Sequence, residues 1–329
     1  MSWLASLAVA GMFTFVQLNC ENLFDCEHDE GKNDKEWVIG GARRWSYKRY
    51  WQKLNDIGKA ILACGEYEGR WSLPDLVALV EVENDSVLFD LTKRSLLRRA
   101  EYEYIMTQSD DVRGIDVALL YSPFSFKPLQ HRSIRPPIFP GYRPTRDILH
   151  VKGLVISDDT LHVFVVHAPS RFGGERITRP YRTAIASLLG ATVDSIYRQD
   201  HDAKIIITGD FNDYAGDPAL EELLRHKLHH ASLTAKGKHG AQGTYRYDGL
   251  WGSLDHFFVS LPMQHFVREC EIFDAPFLIE EDEKYGGIKP RRTYWGYRYK
   301  KGTSDHLPLV LRFNVPQRKT REQGERADK

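Results

Sequence analysis

Carboxylate, carboxamide and imidazole side chains stand repeatedly at the ends of apolar segments in this sequence. In KIIITGDFND, residues 204–213, three isoleucines and a threonine favour a buried strand, and Asp210 and Asn212 follow at its carboxyl end. One such polar strand end is routine, because strands commonly finish in Gly, Asp and Asn turns. Here the pattern occurs six times, and the other polar positions are Asn19, Glu81, Glu83, His167, Arg171, Asp255, His256, Asp305 and His306.

These residue types favour one kind of chemistry if the six strand ends meet at one edge. Oxygen ligands without thiolates suit hard cations such as Mg²⁺ or Mn²⁺. Hydrolysis of a phosphodiester needs such a cation, a group that prepares water, and donors that stabilise charge on the phosphoryl oxygens. The four cysteines contain no CxxC pair, which argues against a zinc ribbon.

The elements that must position these side chains alternate between strands and helices. Strand-like runs include 13–18, 76–82, 117–121 and 204–208, and helical spacing of apolar residues covers 47–64, 180–197 and 218–225. Residues 149–156 and 161–167, joined by Ser-Asp-Asp-Thr, predict an antiparallel hairpin. The mixture predicts a layered α/β architecture with mixed sheets.

Composition limits the class of protein and its partners. The 329 residues carry 45 basic and 45 acidic side chains, so no global positive field attracts nucleic acid, and any polyanion site must be local. No apolar run reaches the length of about 18 residues that a transmembrane helix needs. Nothing in the sequence predicts an obligate protein partner.

The chain ends differ from the part between them. We predict an N-terminal extension or remnant signal segment over 1–12, one domain over 13–315, and a polar, disordered tail over 316–329. The apolar start contains Ala8-Val9-Ala10, which resembles a signal-peptidase site, but it is short and has no Lys or Arg before it. A short extension favours the cytoplasm, whereas a truncated signal sequence predicts export.

The motifs GDFN, SDHLPL and SLDHFFVS, together with Glu81 at a strand end, resemble the endonuclease/exonuclease/phosphatase superfamily. This superfamily includes DNase I, apurinic endonucleases, sphingomyelinases and inositol polyphosphate 5-phosphatases. The resemblance runs from Asn19 to His306 with the motifs in the family's order. It implies a four-layer α/β sandwich, in which two facing mixed β-sheets are flanked by helices and the site lies at one edge.

The resemblance also implies a metal site for Mg²⁺ or Mn²⁺. Asn19 and Glu81 would lie at the metal, with Glu81 as the principal ligand, and Asp305 would assist there. The family usually has Gln before the metal glutamate, where this chain has Val80. Glu83 is two residues from Glu81 and so shares its face of a regular strand, which leaves Glu83 as the alternative ligand.

The remaining site residues would act on water and on the phosphate. By the same resemblance, Asp210 would orient or deprotonate the attacking water, and Asn212 would hold the scissile phosphate. His306, oriented by Asp255, would act as general acid/base or as an electrostatic stabiliser. His167 would contact a phosphate oxygen.

Fold and metal site leave the substrate open among nucleic acids, phospholipids and inositol phosphates. The segment 284–302 has seven basic residues, five aromatic residues and no acidic residue, and it leads into Asp305. Cations interleaved with aromatic rings can hold phosphates and stack bases, so we predict a nuclease, with a lipid diesterase or inositol-polyphosphate phosphatase as the alternative. A non-catalytic binding module is a remote alternative. The candidate phosphate-binding residues are Arg113, Arg171, Arg291 and Arg292.

Overall fold

The computed structural model describes residues 12–138 and 143–315. Residues 1–11 of the predicted N-terminal segment and the whole predicted tail, 316–329, lie outside this range. The helices are α1 Tyr47–Ala63, α2 Asp85–Phe89, α3 Glu175–Gln199, α4 Pro218–Leu224 and α5 Leu261–Gln264, with single turns of other helical types at Asp90–Arg94, Leu96–Arg99 and Pro276–Leu278.

The strands follow in chain order. They are β1 Met12–Leu23, β2 Glu66–Tyr67, β3 Arg70–Trp71, β4 Leu76–Val82, β5 Glu103–Met106, β6 Asp116–Tyr121, β7 Phe126–Ile134, β8 Ile148–Val155, β9 Thr160–His167, β10 Lys204–Asp210, β11 Leu228–His230, β12 Tyr245–Tyr247, β13 Leu250–Gly252, β14 Asp255–Ser260, β15 Val267–Ile272, β16 Ile279–Glu281, β17 Ile288–Pro290, β18 Tyr294–Trp295, β19 Arg298–Tyr299 and β20 Leu309–Asn314.

Two six-stranded mixed sheets face each other in the described residues. The first has the order β15-β20-β1-β4-β6-β5, and the second has the order β11-β14-β10-β9-β8-β7. Phe15 of the first sheet meets Phe257 of the second edge to face, with ring centroids 5.3 Å apart, within the apolar core between the sheets. A second apolar cluster joins the outer face of the second sheet to α3 and α4. The predicted α/β sandwich is therefore confirmed.

The strand directions bring the polar strand ends to one edge. β1 runs parallel to β4, and β9 runs parallel to β10, so the carboxyl ends of each pair coincide. β14 is antiparallel to β10 and pairs Asp255 with Asp210, which places its amino end at the same edge. β20 is antiparallel to β1 and pairs Leu309 with Gln17, so the residues just before β20 also lie there.

The predicted elements are present with different bounds. The hairpin of β8 and β9 is confirmed, and β1 extends five residues beyond the predicted 13–18. The second predicted helix, 180–197, corresponds to α3 and begins earlier, at Glu175. Pro180 therefore lies inside α3 near its start, where the missing N–H removes only one backbone hydrogen bond. Strand β7 was not predicted, because its mostly exposed residues include Pro128 and lack a clear apolar pattern.

Within the described ranges, no helix combines the length and the apolar character that a membrane span requires.

Candidate active site

Backbone irregularities shape the edge where the polar strand ends meet. β1 changes register against β4 between Asn19 and Leu23, and β4 changes register against β6 between Val80 and Val82. Glu81 lies in the second irregularity with φ 61°, and Asn212 after β10 has φ 52°. Positive φ is uncommon for residues other than glycine and often marks functional sites, because surrounding contacts must hold the strained backbone.

Four predicted site residues form one cluster at this edge. The Asn19 carboxamide donates to Oδ2 of Asp210 at 3.0 Å. Nε2 of His167 lies 3.8 Å from Oε1 of Glu81 and 3.9 Å from Oδ2 of Asp210. Oε2 of Glu81 accepts from the backbone N–H of Asn22 at 2.8 Å, which orients the carboxylate. The fold therefore brings together residues that are up to 191 positions apart in the chain.

Asp210 is a buried carboxyl group that is suited to exchange a proton. Oδ1 of Asp210 accepts from the backbone N–H of Asn212 at 2.8 Å. Burial raises the pKa of Asp210 to about 7, against the opposing charge of His306. The Asn212 side chain donates one hydrogen bond to the Ala168 carbonyl at 3.0 Å, which leaves its second N–H for a ligand.

His306 and Asp255 form a buried ion pair. Nδ1 of His306 donates to Oδ2 of Asp255 at 2.6 Å, and Asp255 also accepts from Thr244 at 2.6 Å and Gln17 at 2.8 Å. Burial opposes both charges. The pair and its hydrogen bonds nevertheless hold the pKa of Asp255 below its usual range, and Asp255 and Asp210 raise the pKa of His306 to about 10. His306 is therefore cationic at neutral pH, and its Nε2–H is left for an anionic ligand.

His167 has the opposite character. Burial and the positive charges of Arg146 and Arg113 lower the pKa of His167 well below its usual value, so the imidazole is neutral. Its Nδ1 has no hydrogen-bond partner among the described residues. A neutral His167 lies between the Glu81 and Asp210 carboxylates, beyond hydrogen-bond length from both, and so does not neutralise their charges.

Asp305 belongs to a neighbouring cluster built on a second buried carboxylate. Nη2 of Arg292 donates to Oδ2 of Asp305 at 2.9 Å. Glu21 accepts from the backbone N–H groups of Thr293 and Tyr294, at 2.6 and 3.0 Å, and so ties the segment before Asp305 to β1. The side-chain hydrogen bond of Asp305 is thus with Arg292, in a cluster separate from the one around Glu81.

Lys53 supplies the buried charge that faces this second cluster. It is 1% exposed, and its ammonium donates to the hydroxyl of Thr293 and, at 2.6 Å, to the carbonyl of Thr303. Burial lowers the pKa of Lys53, while Glu21 and other nearby acids oppose that change. Burial also raises the pKa of Glu21 to about 7. Lys53 therefore offsets part of the negative charge under the site.

Sequence reasoning missed Glu21 and Lys53, although a signal for Lys53 was available. In α1, buried apolar residues follow helical spacing at Tyr50, Leu54 and Ile57, and Lys53 falls within that stripe. A lysine on the apolar face of a helix needs a buried partner. The partner of Lys53 comes from residues 293–303, about 240 positions later, and local spacing cannot identify it.

The cluster around Glu81 fits a divalent cation by its donor set. Oε1 of Glu81 lies 3.7 Å from the Arg113 guanidinium and 3.8 Å from the neutral His167 imidazole, and both distances exceed hydrogen-bond length. A largely buried carboxylate oxygen without a hydrogen bond can accept a hard cation. Asn19 has a carboxamide oxygen, which accepts from the backbone N–H of Glu21 at 2.8 Å, and its amide nitrogen joins the cluster at Asp210.

A second group, Asp210, Asp255 and His306, also brings possible metal donors within 4.8 Å of one another. The Asp255 carboxylate is already occupied by three hydrogen bonds, including the bond to His306. A metal ion there would have to break the ion pair. This group is therefore better suited to proton transfer and phosphate binding than to metal binding.

Glu81 and Glu83 do not share an environment, contrary to the expectation for a regular strand. The irregularity at Glu81 breaks the alternation of faces, and Glu83 lies just beyond β4. The Glu83 carboxylate accepts from the backbone N–H of Asp25 at 2.7 Å, and burial raises the pKa of Glu83 to about 9. The contacts to His167 and Arg113 belong to Glu81.

The four candidate phosphate-binding arginines have different settings. Arg113 lies beside Glu81, and Arg292 is bonded to Asp305, so both line the site. Arg171 donates to Asp217 at 2.6 Å and to Asp213 at 3.3 Å. Arg291 is exposed, and its side chain forms no ion pair within the described ranges.

Comparisons with known proteins agree with this architecture. The sequence matches the Endonuclease/Exonuclease/phosphatase family over residues 14–315. A search of curated proteins finds no match.

Three solved structures illustrate the similarity of fold. A mannosyl-6-phosphatase from Bacteroides thetaiotaomicron has a TM-score of 0.61 at 16% identity, over 91% of this chain and 98% of that chain. An endonuclease/exonuclease/phosphatase family protein from the same species has a TM-score of 0.60 at 17% identity, over 93% and 99%. A humanized TDP2 from D. rerio has a TM-score of 0.56 at 17% identity, over 92% and 99%.

The match to the family covers nearly the whole described chain, and the two facing sheets carry the family motifs to one edge. The chain belongs to the endonuclease/exonuclease/phosphatase family.

Proposed function

We propose that this protein is a divalent-metal-dependent hydrolase of phosphodiester bonds and that its substrate is a nucleic acid. The observation that carries the proposal is the His306–Asp255 ion pair beside the buried Asp210 carboxyl. It combines a fixed positive charge for a phosphoryl oxygen with a group that can take a proton from water. These are two requirements of phosphodiester hydrolysis.

We assign each residue one role in the hydrolytic step. Asp210 takes a proton from the attacking water, a bond forms between the water oxygen and phosphorus, and the bond from phosphorus to the leaving oxygen breaks. The leaving oxygen takes a proton from solvent. His306 donates from Nε2 to a phosphoryl oxygen, and Asn212 and His167 donate to the others. Because His306 and Asn212 are fixed by buried partners, they need little reorganisation during the reaction.

We further propose that Glu81 and Asn19 hold Mg²⁺ or Mn²⁺, with Asp305 contributing from the neighbouring cluster. A bound divalent cation would supply positive charge for the phosphoryl group. The unbonded Oε1 of Glu81 supports this assignment. Asp305 has only one carboxylate oxygen left for the metal ion, because Arg292 donates a hydrogen bond to the other.

A nucleic acid is favoured by local charge. Arg113 and Arg292 lie at the site, and the segment 284–302 adds basic and aromatic residues beside it. The fold is shared by enzymes with different substrates, so charge and shape at the site must decide among them. One structure of similar fold is named a mannosyl-6-phosphatase, which makes a sugar phosphate a necessary comparison.

The experiment is a hydrolysis assay of the full chain with Mg²⁺, with Mn²⁺ and with EDTA. The substrates are methyl p-nitrophenyl phosphate, single- and double-stranded DNA, RNA, sphingomyelin, an inositol polyphosphate and mannose 6-phosphate. We expect turnover of the diesters with metal, fastest on a nucleic acid, and none with EDTA. Equal turnover with EDTA would contradict the metal assignment, and turnover of mannose 6-phosphate alone would contradict the diesterase.

A further inference from the structure

A cavity of about 300 Å³ opens beside the proposed catalytic residues. It lies between the hairpin of β12 and β13 and the segment 280–300. Three of its aromatic lining side chains are exposed: Tyr247 by 64%, Tyr285 by 43% and Trp295 by 62%. Large exposed rings around one polar cavity indicate a binding surface, because the same rings would otherwise contact water.

The cavity is continuous with the site through two side chains. Tyr245 lines the cavity, pairs with His306 in an isolated β-bridge, and has its ring centroid 4.9 Å from that of the imidazole. Arg292 also lines the cavity and donates to Asp305. A phosphate held at His306 would therefore carry its nearest substituent towards this cavity.

The charges in the cavity argue against a second phosphate there. The ammonium of Lys289 lies 3.5 Å from Asp282 and 3.8 Å from Glu280, and Arg246 lies 3.3 Å from Asp282. Lys284 donates to the hydroxyl of Tyr285 at 2.5 Å. Most cations of this cavity are thus paired or hydrogen-bonded, and the carboxylates would repel a phosphate.

The same lining suits a flat, uncharged ring with polar edges. Aromatic side chains can stack on the face of such a ring, whatever polar groups its edge carries. Glu280 offers oxygen acceptors for an exocyclic amine, and Lys300, which forms no ion pair within the described ranges, offers a donor for a ring carbonyl. A nucleobase has this combination of a flat ring, donors and acceptors.

We propose that the cavity beside His306 binds the nucleobase of the nucleotide that carries the scissile phosphate. The inference rests on the proposed hydrolysis of nucleic acid at the His306 site, and it names a base-binding subsite of that enzyme. The basic and aromatic segment 284–302 then contributes mainly base stacking, whereas the sequence alone predicted a path for phosphates.

The test compares the binding of dAMP, deoxyribose 5-phosphate, phenyl phosphate and inorganic phosphate to the full chain by calorimetry. EDTA is present, so that metal-dependent turnover cannot consume the probes. We expect dAMP to bind about tenfold more tightly than deoxyribose 5-phosphate, which is within the range for stacking of one base on an aromatic side chain. Equal affinity of these two probes would overturn the proposal.

Two variants and one matched control locate the effect. Trp295→Ala and Tyr247→Ala should each reduce the preference for dAMP to below about threefold, because each removes part of the stacking surface. Trp71→Ala should retain it: Trp71 is 59% exposed, close to the exposure of Trp295, but precedes the amino end of β4, opposite Glu81. An undiminished preference in both cavity variants would overturn the proposed location, and binding of phenyl phosphate as tight as that of dAMP would overturn the nucleobase.

The proposed function is tested separately with methyl p-nitrophenyl phosphate, which has no base. The control variant Trp71→Ala should retain wild-type kcat/KM on this diester within about twofold, because Trp71 lies outside both the site and the cavity. Turnover of the diester without any preference for dAMP would refute the subsite and leave the hydrolase intact. Absence of metal-dependent turnover on every diester would refute the hydrolase, whatever the binding data.

Discussion

The ion pair of His306 and Asp255 makes the strongest prediction, because one side chain is expected to act entirely through the other. His306→Ala removes the charge that faces the phosphate and should lower kcat by about 10²–10³-fold, the usual loss when one donor that stabilises transition-state charge is removed. The pKa of His306 rises from 6.5 to about 10, with Asp255 as the largest cause that raises it. That rise corresponds to roughly 5 kcal/mol in favour of the charged imidazole.

Asp255→Asn should therefore lose most of the same activity. Without the Asp255 charge, burial favours the neutral imidazole, so less of the enzyme carries the cation at neutral pH. We expect kcat to fall by about 10–10³-fold. The double variant should be no worse than His306→Ala, because residues that act as a unit give non-additive losses.

The assay measures kcat and KM for methyl p-nitrophenyl phosphate between about pH 6 and pH 8, with thermal unfolding as a check on folding. The ratio of Asp255→Asn to wild-type kcat should rise as the pH falls, because acid restores the imidazolium in the variant while His306 is already charged in the wild type. Asp202→Asn, an exposed carboxylate just before the amino end of β10, is the matched control. Additive losses, or a ratio independent of pH, would refute the assignment of Asp255.

Three other features lead to separate predictions. Glu81→Gln should weaken Mn²⁺ binding at least tenfold in calorimetry, whereas Glu83→Gln should keep the affinity within about twofold of wild type. The reverse result would assign the metal ligand to Glu83. Lys53→Met should lower the free energy of unfolding by about 3 kcal/mol in urea, because it leaves buried carboxylates without their cation, and a loss below about 0.5 kcal/mol would show that the charge is not needed. The pKa values of the buried pair His150 and His162 are lowered from 6.5 to about 3 and about 4, chiefly by burial. Their contribution to stability is therefore present above about pH 6.5 and should be lost on acidification towards pH 4, with a slope of up to about 1.4 kcal/mol per pH unit for each imidazole. His150→Phe should flatten the dependence of unfolding free energy on pH, and an unchanged slope would contradict this prediction.

The sequence predicted the strands that carry the site and the order in which they deliver polar residues. β4 has the predicted bounds, Leu76–Val82, and β10 begins at the predicted residue, Lys204. Strand and helix formation depends on apolar spacing and on β-branched residues among close neighbours, so a local sequence contains that information. The convergence of polar strand ends then follows from the directions of the strands in a sheet.

The environments of individual side chains were harder to predict from the sequence. The separation of Glu81 from Glu83 depends on a positive φ and a register shift, which alternation in a strand does not reveal. The seven cations of 284–302 suggested a positive surface. In the structure Lys289 is paired with Glu280 and Asp282, which lie just outside that window.

Only the tertiary structure decided which charges meet beneath the site. The sequence by itself determined the α/β class, the motif order and the candidate residues Asn19, Asp210 and His306, since each rests on residues close together in the chain. The tie from Glu21 to Thr293 spans 272 positions, and the bond from Lys53 to Thr293 spans 240. A buried charge is tolerated only where a partner group lies within a few ångströms of it. When that partner is distant in the sequence, only the tertiary structure places the two groups together.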